Sequence, residues 1–586
     1  MLTAEQYLDL VNKRGQDGKP LKRVYANMLK LDFFINAYGK LYRNKGALTK
    51  GVDGKTVDGT SLKKLEALIE ELRTRQFEWT PVRRSYLTKK EGKKKRPLGI
   101  PAWRDKIVAE VIRVILEAYY EPQFSNLSHA YRPNRGCHTA LDQVTKWRGT
   151  KWWIEGDITG CFDNLNHKIL LQTMGKDIQD RSFLNLIEGM LKAGYLEDWT
   201  YHRTYSGAPQ GGIASPILSN IYLKEMDRMI EKELNEWNKG KSRKQNPEYH
   251  RRYKKARRAF KQGNTKEGKR LMAEARKYPP KDVYDPAYRR LRYVRYADDV
   301  LLGFIGTYQE AVQIKERLKQ YLLKKLDLEL NDEKTYITQA SQKPARFLGY
   351  DIQCPVIREN KRCMTGRVVL RIPKSVINDW TGRYSRNGKP IHRSERMHQS
   401  DYEIVSQFGA EFRGLFNYYK YALNVRQLNR VKYTMSSSLV KTLAAKHQTN
   451  PAKIYSKHKF TDETYGIEAT SEEGPRATFG GYSLTRRKVI ETINDNIAWT
   501  YYGRSELARR LAADVCEIEG CTNNAVEGHH IKALKNLKKR WKGRKDKPEW
   551  VKFMITRNRK VIMVCNYHHH QIHSGLYDGP KLVGKH

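Results

Sequence analysis

Two apolar runs meet at a pair of adjacent carboxylates in Leu291-Arg-Tyr-Val-Arg-Tyr-Ala-Asp-Asp-Val-Leu-Leu-Gly-Phe304, and this pattern predicts a tight β-hairpin with Asp298 and Asp299 at its tip. Neighbouring Asp side chains in a hydrophobic hairpin repel each other, and burial penalises each charge. A divalent metal is the obvious cation to hold them. An exposed Asp-Asp turn closing an ordinary hairpin is the plainer alternative, and the remaining sequence has to choose between the two.

The chain is 586 residues long, too long for one hydrophobic core, which predicts about three to five domains. Its 111 Lys+Arg against 64 Asp+Glu give a formal charge of +47. Solubility alone does not need such an excess, so it implies a polyanion partner. The 36 Tyr, 11 Trp and 15 Phe supply rings on which nucleobases stack. The start, Met1-Leu-Thr-Ala-Glu-Gln-Tyr7, lacks the cationic and apolar blocks of a signal peptide, and Glu5 and Asp9 argue against a transit peptide. No apolar run approaches membrane-spanning length. A cytoplasmic, nucleoid-associated protein without a membrane partner is expected.

Helical spacing of Leu62, Leu65, Ile69 and Leu72 predicts an amphipathic helix over Thr60–Phe77. Tyr86–Pro101 predicts strand, lysine-rich Gly turn and strand, a place for flexible cations over phosphates. A long apolar helix face runs from Arg104 to Tyr120, followed by the turn Tyr131-Arg-Pro-Asn-Arg-Gly136. Lys151–Ile158 predicts a strand ending on Asp157, with Phe162-Asp163 opening the next turn. Beside the hairpin, Asp157 would complete a cluster of three carboxylates. The Gly-rich loop Ser206–Ser215 runs into a helix, and its small residues let backbone approach a ligand beside Gln210.

Between Lys239 and Lys277 only Glu248, Glu267 and Glu274 oppose a dense set of cations. This predicts an inserted basic helical hairpin, within about 235–285, that binds RNA backbone through Lys254, Lys255, Arg257 and Arg258. A helix is expected from Gln309 to about Leu326, strand-like structure from Gln353 to about Asn378, and continuous helix from Glu403 to Lys446. The aromatics Phe408, Phe412, Phe416, Tyr418 and Tyr419 there read mainly as a helix-bundle core. From Lys446 to Arg504 little periodicity remains, which suggests a small basic domain or linker.

Cys137, Cys161, Cys354 and Cys363 are scattered as free thiols would be, whereas Cys516, Cys521 and Cys565 cluster late. Cys516-x4-Cys521 and Cys565-x2-His568 form the two pairs of a tetrahedral zinc knuckle. His569 and His573 are four apart, so on a helix they share one face and can ligate one metal together with His529. His530 is then left as a general base that activates water against a phosphodiester.

Six stretches in this order resemble the bacterial group II intron-encoded proteins: Arg96-Pro-Leu-Gly-Ile-Pro101, Asp157–Asp163, Gly207–Gly211 with Ser215–Asn220, Tyr296-Ala-Asp-Asp299, Asn331–Thr335 and Phe347-Leu-Gly-Tyr350. The resemblance implies an α+β multidomain chain. Residues 1–360 would be the fingers and palm of a right-hand reverse transcriptase, 361–450 a helical thumb or maturase domain, 451–505 a DNA-binding segment, and 506–586 a zinc-containing HNH endonuclease of ββα type. Asp157, Asp298 and Asp299 would hold two Mg²⁺ ions. Phe162 would block a ribose 2′-hydroxyl, Gln210 would contact the incoming deoxynucleotide, and Arg96 with Lys89 would grip its phosphates. The nuclease would carry structural Zn²⁺ on Cys516, Cys521, Cys565 and His568, and Mg²⁺ or another divalent ion on His529, His569 and His573. Two positions depart from the family pattern. His568 stands where the zinc site usually ends in Cys, and Lys560 stands nine residues before His569, where the middle Asn of HNH would align.

The partners implied are the host intron RNA, double-stranded target DNA and deoxynucleoside triphosphates, with a homodimer left open. Reverse transcription, splicing of the intron and nicking of target DNA for retrohoming follow as expected activities. The competing reading is an RNA-binding splicing maturase whose nuclease is vestigial.

Overall fold

The computed structural model describes residues 2–576 apart from 45, 89–94, 198–199, 205, 208–210, 283–284, 356–357, 360–361, 364–365, 460–465, 472–473, 475, 482, 488, 490–505, 525, 532–536, 538–546 and 557–558. At its centre is a four-stranded antiparallel sheet in the order Arg290–Tyr296, Asp299–Ile305, Trp152–Asp157 and Ile337–Gln339. Side chains alternate across its faces. Ile154, Val300, Leu302 and Phe304 join a core built on the helices Trp103–Tyr120 and Ser215–Trp237, while Trp153, Val294 and Leu301 join a second core with the helices that follow residue 400.

The hairpin rests on a buried ion pair. Arg295 donates to both carboxylate oxygens of Asp227 at 2.9 and 2.7 Å, and the two side chains are 0 % and 1 % exposed. Tyr293 also donates to Asp227, and a further Arg295 nitrogen reaches the carbonyl oxygen of Ala297 at 3.1 Å. The guanidinium therefore ties the tip turn to the helix behind it. Asp227→Ala would leave a cation buried without its partner, which costs about 3–5 kcal/mol. Urea unfolding should show that loss, because the turn loses its brace.

A second sheet places Lys95–Ile100 beside Val82–Thr88, then Tyr195–Glu197 and Thr200–His202. The expected helix before it is Leu62–Arg73, capped by the Ser61 hydroxyl, which accepts from Lys64 N–H. Three further helices, Ala4–Gln16, Val24–Met28 and Leu31–Leu41, pack around Trp103–Tyr120. The basic insertion forms the expected helical hairpin, Pro247–Lys261 and Thr265–Ala275, with Gly268 packed on the Phe260 ring.

Beyond residue 350 the structure departs from expectation in two places. Pro373, which has no N–H to give to a ladder, opens a helix at Lys374–Arg383 where strand was expected to continue. The expected continuous helix is two helices, Asp401–Tyr419 and Leu428–Lys446. Asn424 lies in the break and makes both hydrogen bonds to the backbone of Ile372, accepting at 2.7 Å and donating at 3.1 Å. Phe408 and Phe412 are core residues, as expected, whereas Tyr418 and Tyr419 donate to the carbonyls of Leu348 and Gly349 at 2.7 and 3.0 Å. The Phe347–Tyr350 turn thus fastens the region of the first sheet to the helices that follow residue 400. Within 451–505 the described residues form the helix Pro451–His458 and a hairpin, Gly466–Thr470 with Arg476–Gly480. Among the described residues no helix is long and apolar enough to cross a membrane.

Candidate active sites

Cross-strand register sets Asp157 directly opposite Asp299, and Ala297-Asp298 form the two-residue turn that closes the hairpin, with Ala297 at φ 57°. Like charges directly opposite each other destabilise a sheet unless a cation intervenes. Burial, then the neighbouring charges of Asp298 and Asp157, push Asp299 up to about 6. Lys334 opposes that rise. Its Nζ donates to Asp157 Oδ2 at 2.7 Å, and this bond raises the lysine's own pKa. The turn carrying Lys334 is pinned because Asn331 N–H donates to the Asp157 carbonyl at 2.9 Å. Three clustered carboxylates already drawing in a cation form a donor set that suits divalent metal.

Phe162 has its ring edge-on to Tyr131, with centroids 6.2 Å apart. Tyr131 has φ 58°, unusual for a bulky residue, and the adjacent Arg132 fixes the turn by bonding Glu121, Ser125 O and Ser128 O. Gly207 and Gly211, both at positive φ, bracket the loop of Gln210. A Cβ at Gly207 would lie 2.6 Å from Asp163 O, and one at Gly211 2.4 Å from Leu98 Cδ1. Only glycine allows these close approaches to Asp163 and Leu98. Gln210 and Lys89 themselves lie outside the described residues. Arg96 pairs through its backbone with Leu87, and its side chain is likewise outside what is described. Lys254, Lys255, Arg257 and Arg258 are exposed on the inserted hairpin. None of the four makes an ion pair among the described residues, in contrast to Arg252, which binds Glu248.

In the C-terminal region the strands Val526–His530 and Val561–Cys565 pair antiparallel and lead into the helix Asn566–Ser574. Ligand atoms of Cys516, Cys521, Cys565 and His568 all lie within 4.8 Å of one another. Cys521 and Cys565 sulfurs are 3.9 Å apart, and Cys565 Sγ is 3.2 Å from His568 Nδ1. Tetrahedral zinc–sulfur bonds of about 2.3 Å would set sulfurs about 3.8 Å apart, so the donor set fits zinc.

His529, His569 and His573 also converge, and a fourth residue joins them that the sequence did not suggest: Asp58. Asp58 Oδ2 lies 2.7 Å from His573 Nε2, and Oδ1 lies 3.4 Å from His569 Nε2. Glu527, itself held by Lys64 at 2.6 Å, accepts from the other His569 nitrogen. Burial would lower His569, but bonds to Asp58 and Glu527 lift it to about 9, while burial takes His529 down to about 4.

His530 does not stand free in this centre as expected. Successive strand residues point to opposite faces, so with His529 turned to the metal cluster His530 must turn away. Its Nε2 is 2.9 Å from Tyr38 Oη, its ring packs against Tyr38 and Tyr42, and the residue is 7 % exposed. Burial holds it neutral, at about 3. Lys560 is exposed, and its carbonyl accepts from Ile531 N–H at 3.1 Å. Asn558 lies outside the described residues.

Three protein families match successive parts of this chain: reverse transcriptase (RNA-dependent DNA polymerase) over residues 88–352, type II intron maturase over 367–474, and AI2M/AI1M-like HNH endonuclease over 516–569. The group II intron-encoded protein LtrA of Lactococcus lactis subsp. cremoris is 38 % identical across 97 % of this chain and 98 % of its own length. The chain belongs to the group II intron-encoded proteins. Another relative, the putative COX1/OXI3 intron 1 protein of Saccharomyces cerevisiae, is 31 % identical over 94 % of this chain and 69 % of its own. Protein YkfC of Escherichia coli matches 56 % of this chain at 33 % identity and covers 82 % of itself. This group II intron-encoded protein therefore combines reverse transcriptase, maturase and HNH endonuclease domains, the multifunctional enzyme that the sequence motifs led us to expect.

Proposed function

We propose that this intron-encoded protein binds its host intron RNA, assists its splicing, nicks double-stranded target DNA with the HNH domain and extends the nicked end by reverse transcription. Its place of action would be the cytoplasm, at the nucleoid. The observation that carries the polymerase part is the register of Asp157 opposite Asp299 with Asp298 in the adjoining turn. Bound there, two Mg²⁺ ions would activate a primer 3′-hydroxyl and stabilise the departing pyrophosphate. Asp157, Asp298 and Asp299 would hold the ions, with the Lys334 ammonium, bonded to Asp157 at 2.7 Å, giving way to them. Phe162, braced by Tyr131, excludes a 2′-hydroxyl. Gln210 contacts the incoming nucleotide, with Lys89 and Arg96 on its phosphates.

The helical domain and the cations Lys254, Lys255, Arg257 and Arg258 bind the RNA backbone, and 451–505 engages target DNA. Zn²⁺ on Cys516, Cys521, Cys565 and His568 holds the nuclease together. A catalytic divalent ion sits on His529, His569 and His573, and His530 serves as base once it leaves Tyr38. On this reading His530→Ala stops second-strand nicking of target DNA and leaves primer extension on RNA unchanged. Normal nicking by that variant would place the base elsewhere.

A further inference from the structure

The nuclease domain does not stand apart from the polymerase. Its core is continuous with that of the N-terminal helices, and its sheet has a third strand supplied from the far end of the chain: Thr60 pairs with Gly528 and Ser61 with Glu527. Helix Glu506–Ala513 packs on helix Leu31–Leu41. The seam is built for close approach. A Cβ at Gly528 would lie 2.6 Å from Tyr38 Oη, and Gly59, at φ +73°, turns the chain immediately after Asp58 so that the carboxylate reaches the histidines. Asp58 also accepts the backbone N–H of His530 at 2.7 Å, which fixes its position 472 residues from that strand.

Three imidazoles leave one position of a tetrahedral divalent ion open, and in a working nuclease an oxygen of the scissile phosphate needs that position. Asp58 offers an anionic oxygen in the same place. The same docking covers His530 with Tyr38 and Tyr42. Resting on the nuclease reading above, we propose that Asp58 is the fourth protein ligand of the HNH metal, so that the nuclease is held shut against the N-terminal helices until a DNA phosphate replaces Asp58. Metal and docking thus reinforce one another. Duplex DNA opens the seam by exchanging one anionic oxygen for another, and Tyr38 leaves His530 in the same movement.

The full-length, zinc-loaded chain is titrated with Ni²⁺, which favours imidazole, in excess Mg²⁺ that fills the palm carboxylates. His529→Ala serves as the reference. Asp58→Ala and the isosteric Asp58→Asn, which can still accept the His530 N–H, should each weaken Ni²⁺ binding by about tenfold or more, at least the loss typical of outer-shell partners. Hydrogen exchange gives the second readout. Ni²⁺ should slow exchange in Leu31–Leu41 and at Thr60–Ser61 of the unaltered protein and leave those segments unchanged in Asp58→Ala. Wild-type affinity in both Asp58 variants, with His529→Ala weakened, would overturn the proposal and spare the three-histidine site. Unchanged affinity in His529→Ala as well would remove that site and the proposal with it. Slowed exchange that persists in Asp58→Ala would show that docking does not depend on Asp58, again against the proposal.

Discussion

Asp298→Asn with Asp299→Asn is expected to abolish cDNA synthesis and leave RNA binding largely intact. The two carboxylates and Asp157 sit across one strand pair, and burial with mutual repulsion already lifts Asp299 to about 6. Amides keep the hairpin's shape and remove the charge that holds a metal. Losing several kcal/mol of charge stabilisation in the transition state corresponds to roughly 10³-fold or more in rate. The fold should not suffer. Removing two repelling charges relieves the strand pair, and the brace from Arg295 and Asp227 lies beneath the turn. Primer extension and intron-RNA binding measured on the same preparation separate these effects. Retained extension would sink the metal-site assignment.

The second large effect concerns zinc. Cys516→Ser, or chelation, should unfold the nuclease region while primer extension continues. Cys516 is buried, and Cys565 N–H on the Val561–Cys565 strand points at its sulfur at 3.3 Å. Structural zinc contributes about 10–16 kcal/mol in finger peptides, more than a region this size can gain from its core alone. Proteolysis should then cut within 506–576, and DNA nicking should cease. A chelated protein that still resists proteolysis there would show that the strands stand without metal.

Local features of this chain were legible in its sequence, and long-range ones much less so. The Asp298–Asp299 hairpin, the strand ending at Asp157 and the basic helical hairpin follow from periodicity and turn chemistry within short windows. Each pair, Cys516 with Cys521 and Cys565 with His568, is equally local, but the two pairs meet across 44 and 52 residues. The helix break at Asn424 depends on Ile372, and the helix at Lys374 on a proline that periodicity alone does not weigh. Lys334 stood in a recognised stretch, but its contact with Asp157 spans 177 residues. Asp58 carried no signal at all, because its partners lie at the opposite end of the chain. The packing of His530 on Tyr38 rests on strand alternation, which places it on the opposite face from His529 and which the sequence carries.

On the proposed function, the three carboxylates form a working RNA-directed polymerase site rather than a relic in a splicing factor. Extension of a DNA primer annealed to an RNA template, with deoxynucleotides and with or without Mg²⁺, tests it most directly. cDNA should reach the template end only when Mg²⁺ is present. An intact, RNA-binding protein that makes no product at any Mg²⁺ concentration would contradict it.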